Sequence, residues 1–368
     1  MINEEKILEL IKRKIGLSNN KTIHFSDFMQ IALYDNSAGY YSTKKNIFGS
    51  KGDFYTASKI SNLYGKIFSK QFKQIFKICK KNLLEFGAGD GSFAIETIKD
   101  LKQKGVVLDN YLIIEKSQSL QALQKENFAM ALDNKNLKKI SWIENIPNNF
   151  QGIVYLNEVF DSIPADIFIY RQNQLYEKLI KLKDNKLCWE IEEFFNPQFD
   201  YPIELSEDIE FEYSNYYKKL FQEFLKIKQG YIFIVDYGLS ESELLNPYRG
   251  NGSLRCYFEN RLIEDPFLNL GQQDITYNVN FTHLAFLSKL FALEIHGFIS
   301  QSNFLNNLNI VEELVEEKDR IKSLQTQSEI NLLTLPSEMG ELVKMMVLGK
   351  NVDMSLEGFK NFDKTYSL

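Results

Sequence analysis

The sequence predicts an α/β fold: a seven-stranded, mostly parallel sheet with helices on both faces, an N-terminal helical segment and two insertions. Three observations carry this. Strand-like apolar runs alternate with helical periods between residues 82 and 157. The first run leads into 83-LLEFGAGDGS-92, where three glycines at alternate positions separate a strand from a helix. The alternation is then interrupted by hairpin-like pattern at 166–190 and by loop-rich pattern at 240–280, and strand patterns resume after each.

In chain order, residues 4–15 have the apolar spacing of an amphipathic helix. The stretch 22-TIHFSDFMQIALYD-35 reads as a short strand and a helix, with Ser26 or Asp27 as its cap. Residues 36–58 read as an aromatic-rich loop punctuated by Gly39, Gly49 and Gly52. Long ordered loops of this kind are usually functional. A helix is expected over 60–78. Strand 82–86, helix 92–104, strand 111–115, helix 117–130 and strands 139–143 and 152–157 follow. The runs DIFIYR, QLYEKLIKL and KLCWEIEE read as antiparallel hairpins. A helix over 208–228 is expected to lead into strand 230–238. Helix 282–290, strand 292–298, two helices to about 331 and strand 342–349 complete the pattern. The division expected is 1–80 as N-terminal segment, 81–349 as core with insertions at about 165–228 and 240–280, and 350–368 as tail.

Composition narrows the function. At 368 residues with 44% apolar and 25% charged content, the chain has the make-up of a globular enzyme. A net charge of −6 argues against a nucleic-acid partner, whose phosphates demand clustered Lys and Arg. Three cysteines lie far apart, without CxxC spacing, and the three histidines form no HExxH, so no metal centre is expected. No run of about 18 apolar residues would span a membrane. The first sixteen residues include Glu4, Glu5 and Glu9, unlike a signal or transit peptide, and a cytoplasmic protein is expected.

The glycine turn is the strongest chemical signal. At the carboxyl end of the first strand, glycines let a ligand approach the backbone, and the following helix N-terminus adds positive potential. The turn has Ser92 where the dinucleotide spacing G-x-G-x-x-G has its third glycine. It matches instead the E-x-G-x-G-x-G form of class I S-adenosylmethionine methyltransferases, with Glu85, Gly87, Ala88, Gly89 and Gly91 as cofactor candidates. The next strand, 111-YLIIE-115, ends in Glu115, whose carboxylate is placed to take both ribose hydroxyls. The alternative is a structural turn beside a strand-end charge. After the third strand, Trp142 and Ile143 are candidates for the adenine, with Glu144 as a polar edge. The fourth strand ends in 155-YLNEVFDSIP-164, facing the reactive methyl in such folds, with Asn157, Glu158 and Asp161 as catalytic candidates. One helical turn over 158–161 would put both carboxylates on one face. The alternative is a helix cap at Asp161 and a solvent-facing Glu158.

At these residues the sequence resembles the MidA group of class I methyltransferases, which includes a mitochondrial complex I assembly-factor methyltransferase. Matching stretches run along nearly the whole chain: AGYYS, GDFYTASKIS, LLEFGAGDGS, NEVFDSIP, IVDYG, GSLRCYFENR, GQQDITYNVNF and MGELVKMMVLGK. The resemblance implies the Rossmann-like class I fold, S-adenosyl-L-methionine as cofactor and a protein substrate methylated on arginine. It directs attention to Asp53, Phe54 and Thr56 as a loop over the cofactor, with Asp53 opposing its ammonium; the alternative is a capping or turn role for Asp53. Asp236 and Tyr237 end the fifth strand on the substrate side, and Arg255, Tyr257 and Arg261, in the second insertion, are candidates for a lid; the alternative for each arginine is a surface salt bridge. Ser58 and Lys59 stand where relatives commonly have Pro-Glu, and Asn260 where many have His. These departures bear on the substrate side more than on the cofactor side. The readings competing with protein arginine methylation are a small-molecule methyltransferase and a cofactor-binding assembly factor with little turnover.

Overall fold

Residues 2–43, 62–195, 197, 199–205, 208–249, 251–315 and 320–368 are described by the structure, a computed structural model. The chain forms two compact units. One comprises Met1–Phe54, Phe160–Leu220 and Leu239–Leu284; the other comprises Tyr55–Val159, Phe221–Gly238 and Ala285–Leu368. The N-terminal segment and the two interrupting stretches thus belong to a single unit, here the first.

The second unit is built on the main sheet. Seven of its eight strands lie on one path, labelled β1 (Asn82–Phe86), β2 (Asn110–Ile114), β3 (Ile140–Trp142), β4 (Phe150–Asn157), β5 (Ile227–Leu239), β6 (Glu294–Ser300) and β7 (Val343–Lys350). The order is β3-β2-β1-β4-β5-β7-β6. Strands β3 to β5 along this path are parallel, and β7 runs antiparallel to both its neighbours. Central strands are covered on both faces, which is why β4 and β7 are apolar nearly throughout. The order reverses between β1 and β4, so the crevice beyond their carboxyl ends is where such a sheet takes its ligand.

An aromatic core holds one face. Phe68, on the helix Asn62–Ile75, lies 4.9 Å from Tyr64, 5.6 Å from Phe93, 5.2 Å from Tyr155 and 4.9 Å from Phe304, ring centre to ring centre. Phe93 stacks on Tyr155 at 4.2 Å. Such pairs contribute about 0.5–1.5 kcal/mol each beyond the area they bury. They tie the helix after the glycine turn, Ser92–Gln103, to β4.

The first unit is antiparallel. Strands Asp166–Arg171, Gln174–Lys183, Lys186–Glu193 and Ile209–Tyr213 form a five-stranded sheet with Thr22–Ile23. Residues 209–213 are therefore a strand and not the start of a helix. Their burial alternates with period two and they pair with Asp166–Arg171; the helix is confined to Tyr216–Phe224. A second correction concerns the helix Phe25–Tyr34. Its N-cap is His24, and Ser26 and Asp27 lie inside its first turn. The Ser26 amide is satisfied from outside the helix, by the Asp166 carboxylate at 2.9 Å. Phe25 and Phe28 meet Trp189 and Phe267, so the N-terminal segment and both interrupting stretches share one core. Among the described residues, no helix is long and apolar enough to cross a membrane.

Candidate active site

The glycine turn leaves β1 at Phe86. Gly87, Gly89 and Gly91 have φ of +61°, +55° and +85°. A side chain is strained in this region, and only glycine enters it freely. The glycines are not equivalent, however. A Cβ at Gly87 would find its nearest neighbour, Val159 Cγ2, 3.8 Å away, whereas one at Gly91 would lie 2.6 Å from the Phe128 ring. Gly87 keeps space open; Gly91 allows helix and turn to pack. Gly91 is also the N-cap of Ser92–Gln103; that helix has no acid in its first turn, and its first amide, of Ser92, donates to the Asp90 carboxylate at 3.1 Å. Its terminal amides and dipole favour a negative group.

One helix grips this turn and the two strand ends beside it. Gln118–Ala131 presents three carboxamides three residues apart. Gln121 Nε2 donates to the Glu115 carbonyl at 2.8 Å, and Asn127 Nδ2 to the Asp90 carbonyl at 2.9 Å. Gln124, fully buried, donates to the Gly89 carbonyl at 2.9 Å and to Glu115 Oε2 at 3.4 Å, and accepts the Trp142 indole N–H at 2.7 Å. Sequence reasoning missed Gln124. A signal existed: with Leu120 and Phe128 it occupies the buried stripe at four-residue spacing, an amide where an apolar side chain is expected.

Glu115 stands one residue beyond β2. Burial raises its pKa, opposed by hydrogen bonds from the Ser117 amide and Gln124. Trp142 ends β3, with Lys125 Nζ 5.0 Å above its ring, and the Ile143 amide extends the ladder to Ile113. Glu85 lies within the sheet, 4% exposed, and accepts the Tyr111 hydroxyl at 2.6 Å. Burial pushes its carboxyl up to about 8, with Tyr111 opposing and Asp90 and Glu115 adding to the rise. Ala88 is buried between two of the glycines.

At the end of β4, residues 158–161 do not form the expected helical turn. Glu158 has φ of +52°, and its amide bonds the carbonyl of Val235 in β5. A relay orients its carboxylate: Tyr155 Oη to Asn157 Oδ1 at 3.3 Å, and Asn157 Nδ2 to Glu158 Oε1 at 3.0 Å. Asp236 is fully buried and accepts the amides of Val159 at 3.0 Å and Tyr237 at 2.9 Å, so it shapes the chain after β4.

Asp161, Arg255 and Tyr257 belong to the first unit. Asp161 is buried, and burial raises the Tyr257 phenol, with Arg255 opposing and Asp161 adding. Arg255 is exposed and donates to the Leu254 carbonyl at 2.9 Å. Asn260 follows Glu259 in a two-residue hairpin turn, with φ of +49° and +59°, a conformation that suits Asn. Asp53, Phe54, Thr56, Ser58 and Lys59 lie outside the described residues. Also in the first unit, His24, Asp166 and Glu177 bring ligand-type atoms within 4.8 Å of one another; His24 Nδ1 lies 2.5 Å from Glu177 Oε1.

A sheet with this strand order, a glycine turn and an acid after the next strand is that of a methyltransferase. The signature of a family of S-adenosyl-L-methionine-dependent methyltransferases matches residues 64–299, and the chain belongs to that family. Among its relatives is the mitochondrial protein arginine methyltransferase NDUFAF7. The Danio rerio protein is 25% identical, over 87% of this chain and 81% of the relative; the Homo sapiens protein is 23% identical, over 89% and 80%. A crystal structure from Burkholderia thailandensis, bound to S-adenosyl-homocysteine, superposes with a TM-score of 0.93 at 26% identity. The superposition covers 100% of this chain and 97% of that one. The protein is thus an S-adenosylmethionine-dependent methyltransferase with a mixed α/β methyltransferase fold.

Proposed function

We propose that this methyltransferase modifies an arginine side chain of a protein, using the class I arrangement of cofactor and strand ends. The residues fit the cofactor. The space above Gly87 admits it, and Glu115 offers acceptors to a ribose diol. Trp142 and Ile143 offer an apolar wall to adenine. The cofactor supplies an electrophilic methyl on a sulfonium; the chain supplies position and charge.

The observation that carries the arginine reading is Glu158, an acid held in a strained backbone and aimed by the Tyr155–Asn157 relay. A guanidinium is protonated at neutral pH, with a pKa above about 12. It must be oriented, and it must lose a proton as the new bond forms. A carboxylate can hold it by two parallel bonds and draw charge away from the attacking nitrogen. Asp161, expected as a second carboxylate, belongs to the first unit, and the proposal rests on Glu158 alone. The relatives' name, protein arginine methyltransferase, supports the same acceptor. The free thiols Cys79, Cys188 and Cys256 suit a reducing compartment, and we place the protein in the cytoplasm.

The test is transfer of radiolabelled methyl groups from S-adenosylmethionine into lysate of a strain lacking this protein, followed by hydrolysis of the labelled band. Label in methylarginine is expected. Label confined to small molecules, or to another amino acid, overturns the reading.

A further inference from the structure

We infer that Gln124 is a positioning residue that makes this methyltransferase read the cofactor's ribose, by setting the rotamer of Glu115 and coupling it to the adenine wall. The inference rests on Glu115 as the ribose acceptor.

The argument starts from the amide itself. A carboxamide has two donor hydrogens and one acceptor oxygen, and its two ends are told apart only by their partners. Here the partners leave no ambiguity. The Gly89 carbonyl and the Glu115 carboxylate can only accept, and the Trp142 indole N–H can only donate. Both donor hydrogens and the acceptor are therefore committed, to three different segments: the glycine turn, the residue after β2 and the end of β3. Those segments carry the candidates for backbone approach, ribose and adenine. Gln124 is fully buried, so water cannot substitute for it.

Its neighbours on the helix do a different job. Gln121 and Asn127 bond main-chain carbonyls, of Glu115 and Asp90, and so fix where the segments run. Of these three amides, only Gln124 touches the carboxylate. The Ser117 amide holds Glu115 Oε1 at 2.9 Å, and Gln124 reaches Oε2 at 3.4 Å. With one oxygen tethered at each side, the carboxylate plane is set before cofactor arrives. That is preorganisation: the rotamer cost is met in folding and not again on binding. A leucine in place of Gln124 would fill the same stripe but leave Glu115 Oε2, the Gly89 carbonyl and the indole N–H without this partner.

The experiment uses the full-length protein and two ligands, S-adenosyl-homocysteine and its analogue lacking both ribose hydroxyls, with affinities from calorimetry. Wild type should prefer the ribose ligand by tenfold or more, and Glu115→Ala should lose that preference. Gln124→Leu should weaken the ribose ligand by about tenfold and the analogue by less than threefold. Equal loss for both ligands would make Gln124 merely structural and overturn the inference; so would an unchanged preference. If wild type shows no preference at all, it is the ribose assignment of Glu115 that fails. A folding defect in Gln124→Leu is covered by Gln124→Glu, which keeps the shape and loses the donors when ionised. Its carboxyl, protonated or not, restores at most one of the two donors, so its ribose preference should stay below that of wild type at every pH from 5 to 8; a wild-type preference counts against the inference. The chain has two tryptophans. In a Trp189→Phe background the emission of Trp142 should shift in Gln124→Leu and stay put in Gln121→Leu.

Discussion

Three hairpin turns of the first unit and the glycine turn of the second are all left-handed, and they are filled differently. In the first unit the hairpin turns are Gln172-Asn173, Asp184-Asn185 and Glu259-Asn260, six residues with φ between +49° and +64°, all carrying side chains. Each joins strands paired on either side of the turn: Arg171 with Gln174, Lys183 with Lys186, Phe258 with Arg261. In the second unit the turn after β1 uses glycine at all of its three left-handed positions. The conformation alone does not demand glycine, since the hairpins tolerate it at about 1–2 kcal/mol per residue. What demands glycine is space: Gly91 is closed off by Phe128, and Gly87 keeps its surroundings open. Open space on a positive-φ glycine is not enough, since Gly105 has both at a helix end; what marks Gly87 is that its space lies where the strand order reverses.

The largest effect should come where both demands coincide. Gly91→Ala must accept a strained φ and displace the Phe128 ring, which together should destabilise the protein by about 2–5 kcal/mol in urea unfolding. Gly87→Ala carries only the backbone strain, about 1–2 kcal/mol, yet should weaken S-adenosyl-homocysteine tenfold or more. If the two variants lose equal stability, the distinction between a packed and an open glycine breaks.

Glu158 sharpens the contrast from the other side, because it holds a left-handed φ with a long charged side chain outside any hairpin. Such strain persists where function needs it. Glu158→Gln should lower turnover 10²-fold or more, about 2.7 kcal/mol in barrier, with cofactor affinity within about threefold. Glu158→Gly should be equally inactive but more stable by about half to one kcal/mol, the relief of strain less the entropy of glycine. A Glu158→Gly protein that is both active and destabilised would remove the residue from the mechanism.

Glu85 gives a prediction in pH. Its folded pKa, about 8, lies above the ordinary carboxyl value of 4.5. Between those values the native state holds a proton that the unfolded chain has released, so stability falls as pH rises through this window. The loss should be on the order of 1 kcal/mol or more between pH 5 and pH 8, since the pH dependence of stability integrates the difference in bound protons. Glu85→Gln keeps the Tyr111 hydrogen bond and should remove most of it. An identical pH profile in the variant would mean that Glu85 ionises freely beneath the turn.

Much of the second unit was legible because its signals are local. β1 shows as an apolar run, its turn as glycines, and Glu115 as an acid after β2. Gln124 was not, because a buried amide and a surface amide look alike until the helix face is known. In the first unit, Ile209–Tyr213 was misread because a five-residue alternation next to a true helix is outvoted locally; its pairing with Asp166–Arg171 is a long-range fact. The same holds for the Phe25–Tyr34 helix, whose first-turn amide is satisfied by Asp166, 140 residues away. The helical turn expected at 158–161 failed for a different reason: the chain leaves β4 bonded to β5, which no pattern within those four residues records.

The smallest effect is expected at Asn260, where the hairpin logic and the substrate question meet. The family resemblance implies His at this position in many members, which would make Asn260 a change on the substrate side. The structure offers a plainer account: Asn260 is the second residue of a tight hairpin turn with φ of +59°, and Asn is among the side chains that enter this region most readily. If the turn is the whole reason, Asn260→Gly should change stability by no more than about 0.5 kcal/mol, because glycine meets the same backbone demand. Asn260→Ala should cost about 1 kcal/mol, the penalty for an ordinary side chain there. Methyl transfer to the identified substrate should stay within twofold of wild type in both variants. A tenfold loss of transfer in Asn260→Gly, with stability kept, would show instead that the side chain meets the substrate, and that the substitution relative to other family members is a change in specificity.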